Sequence, residues 1–183
     1  NVGRVIDDLA ERGILDETLI LFMSDNGCSG ELGPFGMNWS NYHSGNYPEW
    51  RTEGGWATAQ GQCWASLSNT PLRKYKIFVH EGGIASPLIA HWPQGIAESG
   101  QLCMDQTFHL IDIMPTLCEV AGAQYPINYE GRSITPGEGM SLLPWFNGTA
   151  PPMERTLYWQ HEINAAIRDG NWKLVTSDDR DPN

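Results

Sequence analysis

Two stretches of this 183-residue chain carry side chains that could do chemistry together. The first is Asp25-Asn26-Gly27, directly after the apolar run Thr18-Leu-Ile-Leu-Phe-Met23. Adjacent Asp and Asn offer hard oxygen donors, which suit calcium or magnesium. Gly27 lets the backbone turn sharply beside them. In open α/β sheets, ligands bind beyond the carboxyl ends of the strands, where these residues would sit. Asp-Asn-Gly is also a common turn sequence, and taken alone a plain turn accounts for it. The second stretch runs from Asn69 to Gly83 and holds Arg73, Lys74 and Lys76 within four residues of an otherwise acidic chain. Cations clustered beside a metal would make an oxyanion site; an isolated cluster is a solvated basic edge. If the stretch is extended, Lys74 and Lys76 share one face and Arg73 points away. Gly82-Gly83 suggests a tight turn or a close approach of backbone.

The remaining chemistry-bearing types are weaker signals. His43, His80, His91, His109 and His161 each read as structural or surface histidines. Cys28, Cys63, Cys103 and Cys118 form no CxxC pair, which argues against a zinc site and leaves one or two disulfides or buried free thiols open. No G-x-S-x-G elbow, P-loop or HExxH is present. The formal net charge of −11 opposes nucleic acid and anionic membrane surfaces. Any site for an anionic substrate must therefore be locally electropositive, and a bound divalent cation would make it so. No apolar run approaches the roughly 18 residues needed to span a membrane, and no signal peptide is visible.

Elements must position these residues. Val2, Val5, Ile6 and Leu9 lie at helical spacing, and Gly13 caps a helix over residues 1–13. The chain reads as beginning inside a domain. The run 18–23 has the pattern of a strand buried on both faces, hence a central strand of an α/β sheet. Residues 27–70 are rich in Gly, Asn, Ser and Trp and read as a long loop, which is uncommon in a compact domain unless functional. In it, Trp39, Tyr42, His43, Tyr47, Trp50 and Trp56 could shape a pocket that stacks on a sugar or aryl group, or could anchor the loop. Ser86 to Trp92 predicts another buried strand. Residues 106–121 predict a helix, kinked or broken at Pro115. Residues 124–153 are turn-rich. Thr156 to Trp159 and Ala165 to Thr176 predict a β-hairpin or two strands, with Asp169-Gly170 as the turn.

Taken in order, these stretches resemble the sulfatase family of the alkaline-phosphatase-like superfamily. Val2-Gly3-Arg4-Val5 with Leu19 to Gly27 is similar to the family's helix and metal-bearing strand. Asn69 to Arg73, His80 to Gly83 and Pro87 to Pro93 resemble its lysine segment. Asp112 to Leu117 with Ala121-Gly122 resembles the helix that follows. Gly139 to Leu143 and Ala166 to Val175 are similar to its C-terminal region. The resemblance implies an α/β fold, part of a mixed, mostly parallel sheet flanked by helices, with a smaller C-terminal antiparallel β subdomain. It divides the chain into residues 1–123, the C-terminal part of a catalytic domain, and 124–183, the start of a C-terminal α+β subdomain.

For function, the resemblance implies hydrolysis of sulfate monoesters, of a sugar or aryl alcohol, with Ca2+ and a formylglycine nucleophile. Asp25 and Asn26 match the second pair of calcium ligands. Lys76, five residues before Glu81-Gly82-Gly83, matches the lysine that contacts sulfate, and Lys74 is a nearby competitor. Export to the periplasm or cell exterior is implied too. The family's C/S-x-P/A-x-R nucleophile motif is not formed by any of the four cysteines. With the first aspartate pair, an upstream lysine and the catalytic histidines, it belongs to a part of the family's sequence that precedes Asn1. The expectation is therefore a piece with half a site and no activity by itself. Phosphonate or phosphate monoester hydrolysis within the superfamily, or a non-catalytic degenerate paralogue, are the competing readings.

Overall fold

A computed structural model describes residues 1–31, 33–38, 58–104, 106–151 and 153–177. The aromatic cluster expected at residues 39–56 lies outside the described residues. The chain divides into two compact units, Asn1–Leu21 with Ala90–Met153 and Phe22–Ile89 with Glu154–Asn183.

The first unit opens with helix α1, Val2–Glu11. Its stop is the predicted one: Gly13 takes φ 70, and its N–H returns to the Ala10 carbonyl at 2.9 Å. Strands β1 (Ile20–Met23) and β4 (Leu88–His91) pair in a two-stranded sheet. Neither strand is buried as its apolar run predicts: Phe22 of β1 is 53% exposed and Ile89 of β4 61%. Among the described residues β4 is the one neighbour of β1, so apolar composition here is not matched by cover. The helix expected over 106–121 is shorter. It begins as a 3₁₀ turn, Leu110–Asp112, and continues as an α-helix, Ile113–Val120. Pro115 falls in the first turn of that helix, where its missing N–H breaks no internal bond, so it marks a start instead of a kink. The break in helix type comes just before it, from a cap: the His109 ring accepts the Ile111 N–H at 3.2 Å, and the Asp112 carboxylate accepts the His109 N–H at 2.7 Å.

Asp112 and Thr116 then tie this helix to a segment 26 to 28 residues away. Asp112, fully buried, accepts the Met140 N–H at 3.1 Å. The Thr116 hydroxyl donates to the Asp112 carbonyl at 2.6 Å and accepts the Leu142 N–H at 2.8 Å. Gly139 can lie against this turn only because it has no Cβ, which would collide with the Ile111 carbonyl. A small hairpin, β5 (Asn128–Tyr129) and β6 (Arg132–Ser133), and the helical turn Leu143–Phe146 complete the turn-rich stretch.

In the second unit, β2 (Met37–Asn38) pairs antiparallel with β3 (Thr58–Ala59). The predicted long loop also contains helix Gln62–Ser68, which its short length and polar face hid from periodicity. A small core of Ala65, Tyr75 and Phe78, with Cys28 against it, lies under residues 69–83. That stretch is not extended. Lys74 and Ile77 take φ of 68° and 88°, so the chain turns at both, and strand alternation does not order its lysines. Glu81–Ile84 forms one helical turn. The C-terminal sheet has three antiparallel strands where a hairpin or two strands were expected: β7 (Thr156–His161), β8 (Asn164–Asp169) and β9 (Trp172–Thr176). Gly170, φ 54, makes the predicted turn. The other turn carries Glu162 at φ 53, a residue type that gives no turn signal. Cys28, Cys63 and Cys118 are free thiols.

Candidate active site

β1 ends at Met23, and the chain turns at once. The Ser24 hydroxyl donates to the Asn26 carbonyl at 2.8 Å. The Asn26 amide nitrogen donates to Asp25 Oδ1 at 3.0 Å and to the Gly27 carbonyl at 3.2 Å. That commits the nitrogen, so the amide oxygen is the donor Asn26 has for a hard cation. Asp25 is exposed and Asn26 half-buried. Together they present adjacent oxygen ligands at the end of a strand, in chemistry that fits calcium. Two side chains fall short of the six to eight oxygens calcium takes, and no group of three or more His, Cys, Asp or Glu comes together among the described residues.

The basic stretch is stitched to this turn by backbone. The Gly27 N–H donates to the Gly83 carbonyl at 2.9 Å, and the Lys76 N–H donates to the Cys28 carbonyl at 3.0 Å. Asn69 bridges both strands of the stitch. Its amide oxygen accepts the Cys28 N–H at 3.3 Å, and its amide nitrogen donates to the Lys74 carbonyl at 3.1 Å. The Gly82 N–H reaches the Arg73 carbonyl at 2.9 Å. Three glycines make this approach possible. A Cβ on Gly27 would overlap the Gly82 carbonyl, one on Gly82 the Lys74 carbonyl, and one on Gly83 the Phe78 carbonyl. Asp25, Asn26 and Lys76, separated by half a hundred residues of sequence, are thereby held in one loop cluster.

The two lysines differ in surroundings. Lys74 Nζ lies 4.4 Å from the centroid of the Phe78 ring, a cation–π distance. Lys76 Nζ lies 3.2 Å from each carboxylate oxygen of Glu31, and the Ser29 hydroxyl donates to Glu31 at 3.0 Å. Both members of this pair are partly exposed, 36% for the Lys76 side chain and 43% for Glu31. The far end of the segment is anchored by Glu81, which pairs with Lys173 and lies 3.6 Å from Arg168. Arg168 and Lys173 are direct cross-strand neighbours on the inner face of the C-terminal sheet.

Sequence reasoning missed Glu31, Asn69 and the Glu81 anchor. Asn69 left a weak trace, as the first residue of the Asn69-Thr70-Pro71 turn-forming stretch. Glu31 left none, because its partner is 45 residues distant. Among the described histidines, His109 caps a turn, His91 and His161 are exposed, and His80 is buried with its ring 6.1 Å from that of Phe78.

The family model described as Sulfatase matches residues 1–123. An uncharacterized sulfatase of Schizosaccharomyces pombe is 32% identical, the match covering 96% of this chain and 32% of that protein. Steryl-sulfatase of Mus musculus is 30% identical over 93% of this chain and 22% of its own length. The chain thus spans a third or less of these curated relatives. Among solved structures, a phosphonate monoester hydrolase from Silicibacter pomeroyi superposes with a TM-score of 0.58 at 21% identity, covering 96% of this chain and 29% of that one. At that identity the likeness is one of fold.

Proposed function

The chain belongs to the sulfatase family, and on that premise we propose that it is part of a sulfuric ester hydrolase that cleaves sulfate monoesters. The observation that supports this reading is the double backbone stitch, Gly27 to Gly83 and Lys76 to Cys28, which brings the backbone of the Asp25-Asn26-Gly27 turn beside the segment that carries Lys76. Asp25 and Asn26 would supply two of the ligands of a calcium ion, the rest coming from other parts of the protein. When bound, that ion would withdraw charge from sulfate oxygens and so stabilise the sulfuryl transition state. Lys76 would hold a further sulfate oxygen through its ammonium, fixing the ester's orientation. The formylglycine nucleophile expected of the family has no motif among residues 1–183 and would also come from elsewhere in the protein.

In this reading β1 and β4 are members of a larger, mostly parallel sheet, residues 1–123 are catalytic-domain sequence and 124–183 open a smaller subdomain. The protein would act outside the cytoplasm, on a sulfated sugar or aryl alcohol. No helix among the described residues is long and apolar enough to cross a membrane.

The fold likeness to a phosphonate monoester hydrolase favours one second reading, hydrolysis of phosphonate or phosphate monoesters. Turnover of nitrophenyl sulfate, nitrophenyl phosphate and a phenylphosphonate monoester by the full-length protein separates the two. Sulfate is expected to give the highest kcat/KM. A higher value on the phosphonate ester would replace the first reading with the second.

A further inference from the structure

The Glu31 carboxylate occupies the Lys76 ammonium with both of its oxygens, each 3.2 Å away. Two oxygens of one anionic group on one ammonium is also how an oxyanion substrate would meet Lys76. Glu31 is itself aimed by Ser29, two residues back, whose hydroxyl donates to it at 3.0 Å. The Lys76 backbone is hydrogen-bonded to Cys28, three residues before Glu31, so the ammonium and the carboxylate spring from neighbouring points of the chain. Both side chains keep substantial exposure, so the pair is a weak and exchangeable one.

We propose that Glu31 is a specificity-determining counter-charge of the site: it holds Lys76 in place when no substrate is bound, yields it to a singly charged ester, and disfavours doubly charged ones. This deepens the sulfatase reading and rests on it. The physical basis is charge counting. A sulfate monoester carries one negative charge. A phosphate monoester carries two above its second ionisation, at about pH 6. A fixed carboxylate next to the anion site repels the dianion about twice as strongly as the monoanion, since Coulomb energy scales with the charge product. Displaced from Lys76, Glu31 remains tethered within the same loop, so this repulsion persists in the bound state.

The test compares wild type with Glu31→Gln in the full-length protein at about pH 8, where phenyl phosphate is a dianion. The readouts are KM for nitrophenyl sulfate and the competitive inhibition constant of phenyl phosphate. An exposed ion pair commands a factor of roughly two to five, so KM should fall by that much. The phenyl phosphate constant should fall further, by up to about the square of that factor, roughly four- to twenty-five-fold, because the repulsion, unlike the cost of displacing Glu31 from Lys76, doubles with the charge. A purely structural role for Glu31 would shift both constants together or weaken both. Equal shifts, or no shift, overturn the counter-charge role. Lys76→Met in the same assay separates the layers: if it leaves KM and kcat unmoved, the Lys76 reading falls and the Glu31 proposal with it. If it abolishes turnover while Glu31→Gln changes nothing, only the Glu31 proposal falls.

Discussion

Lys74 and Lys76 lie two residues apart and point to different work. The Lys74 ammonium rests on the Phe78 ring, while Lys76 meets the partly exposed carboxylate of Glu31. Replacing each by Met keeps the stem and removes the charge. In the full-length protein Lys76→Met is expected to lower kcat/KM on an aryl sulfate about 10²- to 10³-fold, the usual loss for one charge-stabilising donor. Lys74→Met is expected to leave it within a few-fold, and the reverse order would hand the role to Lys74. At this scale the sequence revealed the residue types and concealed the geometry. Lys76 was singled out by the family resemblance, whose lysine lies five residues before Glu81-Gly82-Gly83, a match that depends only on chain order. Strand alternation was the wrong guide, because positive φ at Lys74 and Ile77 folds the stretch into turns. Glu31 was beyond reach, since nothing in sequence marks a contact 45 residues away.

Elements hold the cluster through packing that tolerates no side chain. Gly27→Ala drives a methyl into the Gly82 carbonyl, so it should destabilise the full-length protein by about 1–3 kcal/mol, the range for overpacking. A denaturant midpoint equal to wild type would show that the loops part without cost. Thr116→Val tests the other stitched pair. It preserves shape, yet removes the acceptor of the buried Leu142 N–H, at an expected cost of about 1–3 kcal/mol. Thr116→Ser, which keeps the hydroxyl, should recover most of that loss. These ties explain which elements were legible. α1 and β4 follow from apolar spacing and from Gly13, and Gly170 marks its turn. The helix Gln62–Ser68 and the Glu162 turn were not legible. The helix spans only seven residues, and the turn uses a residue that seldom adopts positive φ.

Over the described residues, apolar cover is thin. Among them fully buried apolar side chains are few, whereas Val5, Phe22 and Ile89, on α1, β1 and β4, are each more than half exposed. Such surface favours association over a monomer in water. The 183 residues expressed alone are therefore expected to self-associate and to lack a sharp unfolding transition. A cooperative, monomeric transition would contradict that. The sequence announced the strand's apolar character but could not say how much of its cover lies among these residues. The central claim, that Asp25 and Asn26 are metal ligands beside a sulfate-binding Lys76, is best met by one titration. Aryl sulfate turnover by the full-length protein, first stripped with a chelator, is followed against added calcium for wild type and Asp25→Ala. The account predicts loss of activity on stripping, recovery with calcium, and a half-saturating concentration raised by about tenfold or more in the variant, as losing one charged ligand entails. Activity indifferent to the chelator, or the same half-saturation in both proteins, would contradict it.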